Sequence, residues 1–141
     1  MKIKVDNGAF MPTRAFSTDA GLDLYAMEDA VIKPFSGEVF STGVHVELPK
    51  GTAGLMVSKS GLNVNYDLTS TGLIDEGYTG AIRVKLYNHG KYPHIIRRGD
   101  KISQLVIIPV IIPKLETVEE LSETERGNNG FSSSGRGVNG D

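Results

Sequence analysis

In AIRVKLYNHG, residues 81–90, Ile82, Val84 and Leu86 alternate with Arg83, Lys85 and Tyr87. A period of two puts the apolar side chains on one face and the others on the opposite face, the pattern of a strand with one buried side. The same period runs through EVFSTGVHVELP, residues 38–49, and more weakly through KIKVD, residues 2–6. From Pro34 to Gly99 a glycine or proline interrupts the chain roughly every ten residues, and no segment between them sustains a 3.6-residue apolar period. Many short, punctuated strands make an all-β chain: a sandwich, jelly roll or barrel.

One segment departs from the alternation. QLVIIPVIIPKL, residues 104–115, is apolar on both faces, so it needs cover on both sides from a second sheet or another subunit. Pro109 and Pro113 cannot donate ladder hydrogen bonds, which places this strand at an edge or a bulge. After Leu115 the composition turns to acid, serine and glycine. The reading is a compact body over residues 1–120 and an arm over 121–141.

A chain of 141 residues has room for one domain with one core. It has no cysteine and three scattered histidines, which excludes disulfides and thiolate sites and leaves hard, oxygen-bound metals. The formal net charge of −2 supplies no global attraction to nucleic acid or to a membrane, so a polyanionic ligand has to be met locally. No run of 18 apolar residues occurs, and MKIKVDNGAF alternates charged with apolar residues where a signal peptide needs an apolar stretch. The expected location is the cytoplasm.

Four glycine-containing stretches carry groups able to do chemistry. DAGLDLYA, residues 19–26, sets Asp23 between two leucines, either as a turn-forming aspartate or as a functional carboxylate. MVSKSGLN, residues 56–63, puts Lys59, the Ser60 hydroxyl and the open backbone of Gly61 side by side, which are the groups that hold a phosphate. TGLIDEGYTGAI, residues 71–82, reads as a hairpin with Asp75 and Tyr78 around its tip. A carboxylate there can orient a water or accept from a sugar hydroxyl, and a tyrosine can lie flat against a sugar; an Asx turn with a half-buried ring is the plainer alternative. IRRGDKISQLVI, residues 96–107, makes a turn at Gly99 and Asp100 and places the Gln104 amide inside a strand, where it needs partners. The C-terminal RGNNGFSSSGRGVNGD, residues 126–141, cannot fold alone, yet it carries Phe131 and two arginines.

Taken in order, DAGLDLYA, SKSGL, GLIDEGYTG, RRGDKISQLVI and RGNNGFSSSGR resemble the five motifs of the homotrimeric dUTP pyrophosphatases, from about residue 12 to residue 135. The resemblance implies a distorted β-jelly roll with a flexible C-terminal arm, assembled as a homotrimer in which each active site takes parts from all three chains. It implies Mg²⁺-dependent attack of water at the α-phosphorus of dUTP, giving dUMP and pyrophosphate, which clears dUTP from the nucleotide pool and supplies the precursor of dTTP. Asp23 would reach Mg²⁺ through water, and Ser60, with Lys59 and Gly61 beside it, would hold phosphate. Asp75 would bind the sugar 3′-hydroxyl and orient the attacking water. Gln104 would help hold that water and the phosphates. Tyr78 would lie under the deoxyribose, and Thr69, Gly72 and Ile74 would be further substrate-binding positions, with the pyrimidine read mainly by backbone. Phe131 would stack on uracil while Arg126, Ser132 and Ser133 close the arm over a neighbour's site.

The chain departs from the family pattern at several of these positions. Lys59 stands where arginine is usual, a point charge in place of a fork. Gly77 replaces an acidic residue, Thr79 a longer polar one and Ser132 a glycine, and Thr69 falls near a position where bacterial relatives use an asparagine to read uracil. The related dCTP deaminases need a glutamate base, for which Glu76 is the residue on offer. A regulatory protein partner is a further expectation, because some phage-type members of the family bind repressors. A carbohydrate-binding jelly roll leaves the ordered motifs unexplained.

Overall fold

The computed structural model describes residues 1–130. Eleven strands and one short helix follow in order among them: β1 (Lys2–Val5), β2 (Gly21–Tyr25), β3 (Ala30–Ile32), β4 (Ser36–Ser41), β5 (Val44–Glu47), β6 (Thr52–Val57), α1 (Ser60–Tyr66), β7 (Leu68–Thr69), β8 (Thr71–Ile74), β9 (Arg83–Asn88), β10 (His94–Ile96) and β11 (Lys101–Pro109). One sheet runs β2-β11-β6-β8 and another β4-β9-β7, with the pairs β1-β5 and β10-β3 at the sides. Every registered pair is antiparallel. The arrangement is the all-β jelly roll that the resemblance implies.

The alternation in residues 81–90 is realised in β9, where Val84, Leu86 and Asn88 are buried and Arg83, Lys85 and Tyr87 are exposed. Val84 and Leu86 meet Phe40 and Leu68 from their own sheet, and Leu24, Met56, Ile74, Ile102 and Leu105 from the other, in one core. Burying a side chain of this kind contributes about 1.5–3 kcal/mol each. Asn88 is the polar member of the inward row. Its Nδ2 donates to the carbonyls of Ile32, Lys33 and Tyr92, and its Oδ1 accepts from the Gly90 N–H.

The two-sided apolar strand is not at an edge. β11 lies between β2 and β6; Leu105 and Ile107 face the core, whereas Val106 and Ile108 on the opposite face are half-buried. Pro109 is tolerated because β2 leaves the ladder at Val106, so the last residues of β11 have β6 alone as neighbour. A bulge does occur, at the other end of the strand, between Lys101 and Ser103. The stretch at 71–82 is not a hairpin either: β8 pairs with β6, β9 pairs with β4 and β7, and the chain between them crosses from one sheet to the other. Ile82 anchors the far side of that crossing, its N–H donating to the Val44 carbonyl and its carbonyl accepting from the Thr42 N–H.

Beyond β11, Val110 donates to the Gly51 carbonyl, and no further regular element occurs among the described residues. Ile111 and Leu115 are 92% and 95% exposed. No helix among the described residues is long and apolar enough to cross a membrane.

Candidate active site

Asp23 lies in the middle of β2 with its side chain 7% exposed, opposite Gln104 on β11. Its backbone N–H donates to the Thr13 carbonyl at 2.7 Å. Both carboxylate oxygens are engaged: Lys59 Nζ donates to Oδ1, and Lys101 Nζ is 2.7 Å from Oδ2. Burial pushes the Asp23 carboxyl up, but the hydrogen bonds from Lys101 and Lys59, with their charges, outweigh it and hold the group below the ordinary aspartate range. Asp23 in turn raises the Lys101 ammonium. The residue is thus a strand-borne anion held between two cations rather than a turn former.

Lys101 reaches this carboxylate because of the bulge. Residues three apart in a regular strand point to opposite faces, and Gln104 already faces the Asp23 side; the extra residue turns Lys101 to that side as well, while Ile102 and Ser103 are both buried. The Gln104 amide finds its partner in the Ser58 carbonyl, Nε2 donating at 3.1 Å, and so ties down the start of the Lys59–Ser60 segment. Gly21 makes room for it, since a β-carbon there would fall on the Gln104 amide oxygen. A hydroxyl network backs the segment: Ser58 Oγ donates to the Ser70 carbonyl, Ser70 and Ser103 share a hydrogen bond of 2.9 Å, and Ser103 donates to the Val57 carbonyl. Ser60 and Gly61 open α1, with free space around Gly61.

A second group of site residues gathers around β8. Asp75, Tyr78, Ile74, Leu73, Met56 and Arg83 line a cavity of about 300 Å³. Tyr78 N–H donates to the Asp75 carbonyl and its hydroxyl to the Ala81 carbonyl, with the ring passing over Gly80, where a β-carbon would strike it. Gly72 faces Met56 across the β6-β8 ladder. Thr69, in β7, shares a hydrogen bond of 2.7 Å with His89 Nε2. Glu76 is committed elsewhere, its carboxylate accepting from the Gly51 N–H at 2.7 Å.

The two groups do not meet within one chain. Gln104 opposes Val57 of β6, whereas Ile74 of β8 opposes Gly54. Two strand spacings across the sheet and about four residues along it put the Gln104 and Asp75 backbones roughly 15 Å apart. Arg126 is exposed and folds back on its own turn, Nε donating to the Asn129 carbonyl at 3.0 Å. Phe131, Ser132 and Ser133 lie outside the described residues.

Three participants escaped the reading of the sequence. Lys101, in RRGDK, looks like a solvated loop lysine until the bulge is seen. His89 on Thr69 and His45, described below, act across 20 and 34 residues of chain, and no local pattern announces such pairs.

The dUTPase family profile matches residues 7–135. The chain belongs to the dUTPase family. It is 42% identical over 135 residues to the deoxyuridine 5′-triphosphate nucleotidohydrolase of Clostridium acetobutylicum, covering 94% of this chain and 93% of that protein. The dUTPase of Staphylococcus bacteriophage 80alpha, solved with dUpNHpp, superposes with a TM-score of 0.84 at 34% identity, covering 96% of this chain and 98% of that one. The dUTPase of phage phi11 of S. aureus, described as coordinating a structural Mg(II) ion, gives 0.78 at 32% identity over 84% and 96% of the two chains.

Proposed function

We propose that this dUTP diphosphatase cleaves dUTP to dUMP and pyrophosphate in sites shared between chains of a homotrimer, with Mg²⁺ carried in by the triphosphate. One observation supports the sharing above others: Asp75 and Gln104, both assigned to the same attacking water, are too far apart in one chain to touch it together. The exposed apolar side chains beyond Val110 are consistent with cover from a neighbour.

In this reading, one chain supplies the phosphate side of the site. Ser60, Gly61 and Lys59 hold the triphosphate by hydroxyl, open backbone N–H groups and ammonium. Gln104 fixes the Ser58 end of that segment and the water. Among the described residues of one chain no three His, Asp or Glu side chains converge. A single buried carboxylate beside a bound triphosphate does fit Mg²⁺, which keeps most of its waters, and Asp23 would hold one of those waters. The ion supplies charge neutralisation at the phosphates. Lys59 and Lys101 occupy Asp23 in the free chain and are the groups freed for phosphate when the nucleotide arrives.

A second chain supplies Asp75 and Tyr78. Asp75 accepts from the 3′-hydroxyl and from the water that attacks the α-phosphorus in line, and Tyr78 packs under the deoxyribose, leaving no room for a 2′-hydroxyl. Thr69 and His89 sit at the pyrimidine side. Residues 121–141 form the arm of a further chain, with Phe131 on the uracil ring and Arg126, Ser132 and Ser133 on the phosphates. Closing the site excludes water and strengthens every charge interaction in it.

The test is product analysis of dUTP, dCTP, dTTP and UTP, each with Mg²⁺ and with chelator. Cleavage of dUTP alone, abolished by chelation, is the expected result. Conversion of dCTP would replace this reading by deamination, with Glu76, which accepts from the Gly51 N–H, as the residue on offer for its base.

A further inference from the structure

His45 projects from β5 with 20% of its side chain exposed and touches two hydrogen-bond acceptors at once. Its Nδ1 is 2.9 Å from the Thr79 carbonyl, and its Nε2 is 3.1 Å from Asp6 Oδ2. A carbonyl and a carboxylate only accept, and a neutral imidazole has a single N–H. Both contacts are therefore hydrogen bonds only when both ring nitrogens carry protons. The Thr79 carbonyl lies one residue beyond Tyr78, in the crossing that carries Asp75. Asp6 is itself fixed, its N–H donating to the Gly43 carbonyl at 2.8 Å.

We propose that His45, as the imidazolium, is a positioning residue that struts the Asp75–Ile82 crossing against the exit of β1, and that deoxynucleotide affinity follows its charge. The inference rests on the reading of Asp75 and Tyr78 as the sugar side of the site. The charged groups that face His45 are Asp6 and, from β1, its register partner Lys4, which is also 3.6 Å from Asp6. Lys2 and Glu47 line the same cavity of about 350 Å³ but pair with each other at 2.8 Å.

The direction of titration agrees with the geometry. The hydrogen bonds to the Thr79 carbonyl and to Asp6 raise His45 above the ordinary imidazole range, against burial and Lys4. The bond to His45 lowers Asp6 in return. A raised histidine gives its full contribution below the ordinary value of about 6.5 and loses it as the pH climbs through its higher folded value. The strut is thus complete below about 6.5 and is lost as the pH rises through the higher folded value.

KM and kcat for dUTP, followed from pH 6 to 9 in the wild type, His45→Ala and Asp6→Asn, test the assignment. In the wild type KM is expected to rise roughly three- to tenfold across the His45 titration, the size of one lost hydrogen bond, with kcat nearly constant. His45→Ala should show the high KM at every pH. Asp6→Asn should be flat at the low KM: the amide can donate to Nε2 of a neutral ring, leaving Nδ1–H for Thr79. An unchanged KM in His45→Ala, or a pH step that survives in Asp6→Asn, overturns the proposal. Nucleotide-free protein separates this failure from failure of the enzymatic reading. There the His45 ring nitrogens and the Gly80 amide should titrate by NMR with one midpoint whether or not dUTP is cleaved, and separate midpoints overturn the strut.

Discussion

At Asp23 burial and charge pull in opposite directions, and the two lysines win. Replacing it with asparagine keeps the shape but leaves Lys59 and Lys101 with no counterion. The expected loss is about 1–3 kcal/mol at pH 7, held below the cost of breaking a fully buried pair because Lys101 is 41% exposed. A lowered carboxyl contributes stability above its ordinary value of about 3.9 and loses it as the pH falls through the lower folded value. Urea midpoints of wild type and Asp23→Asn should therefore differ at pH 7 and draw together as the pH falls below about 3.9. A gap that persists in acid would mean that packing, not charge, is what the substitution removes. The sequence made Asp23, Lys59 and Gln104 visible as chemically able residues, because each sits in a glycine-marked stretch. It did not show that they face one another, since that depends on register across β2 and β11.

Among the elements, the strands with one buried face were the readable ones, and β4, β5 and β9 stand where a period of two places them. The helix was not, because α1 spans seven residues and buries none of them, so it has no apolar period to leave in the sequence. β11 was misplaced for a related reason: its prolines read as edge markers, whereas Pro109 closes a central strand at the point where one neighbour has already ended. The bulge that brings Lys101 to Asp23 shows itself in the register of β11 against β2. Gly21 is the small element on which this face depends. Gly21→Ala should push the Gln104 amide off Ser58 and lower kcat/KM roughly tenfold to a hundredfold, in keeping with a side chain displaced by about an ångström. The core packs on the other side of β2, so the thermal midpoint should change little. A wild-type kcat/KM in this variant would remove Gln104 from the mechanism.

For the whole molecule, the jelly roll was legible from the strand pattern together with the ordered motifs, and the resemblance already implied sites shared between chains; the registers add support for that proposal by setting Asp75 and Gln104 at opposite ends of β6. The most direct measurement is complementation between two variants defective on the two sides of the site, Asp75→Asn and Gln104→Leu. Each should be folded and inactive alone. Co-expressed with different tags and purified through both, mixed trimers should regain activity in about one third of their sites, because a closed ring with either composition holds one junction where an intact Asp75 meets an intact Gln104. Doubly tagged trimers as inactive as their parents would mean that each site is built within one chain, contrary to the separation along the sheet.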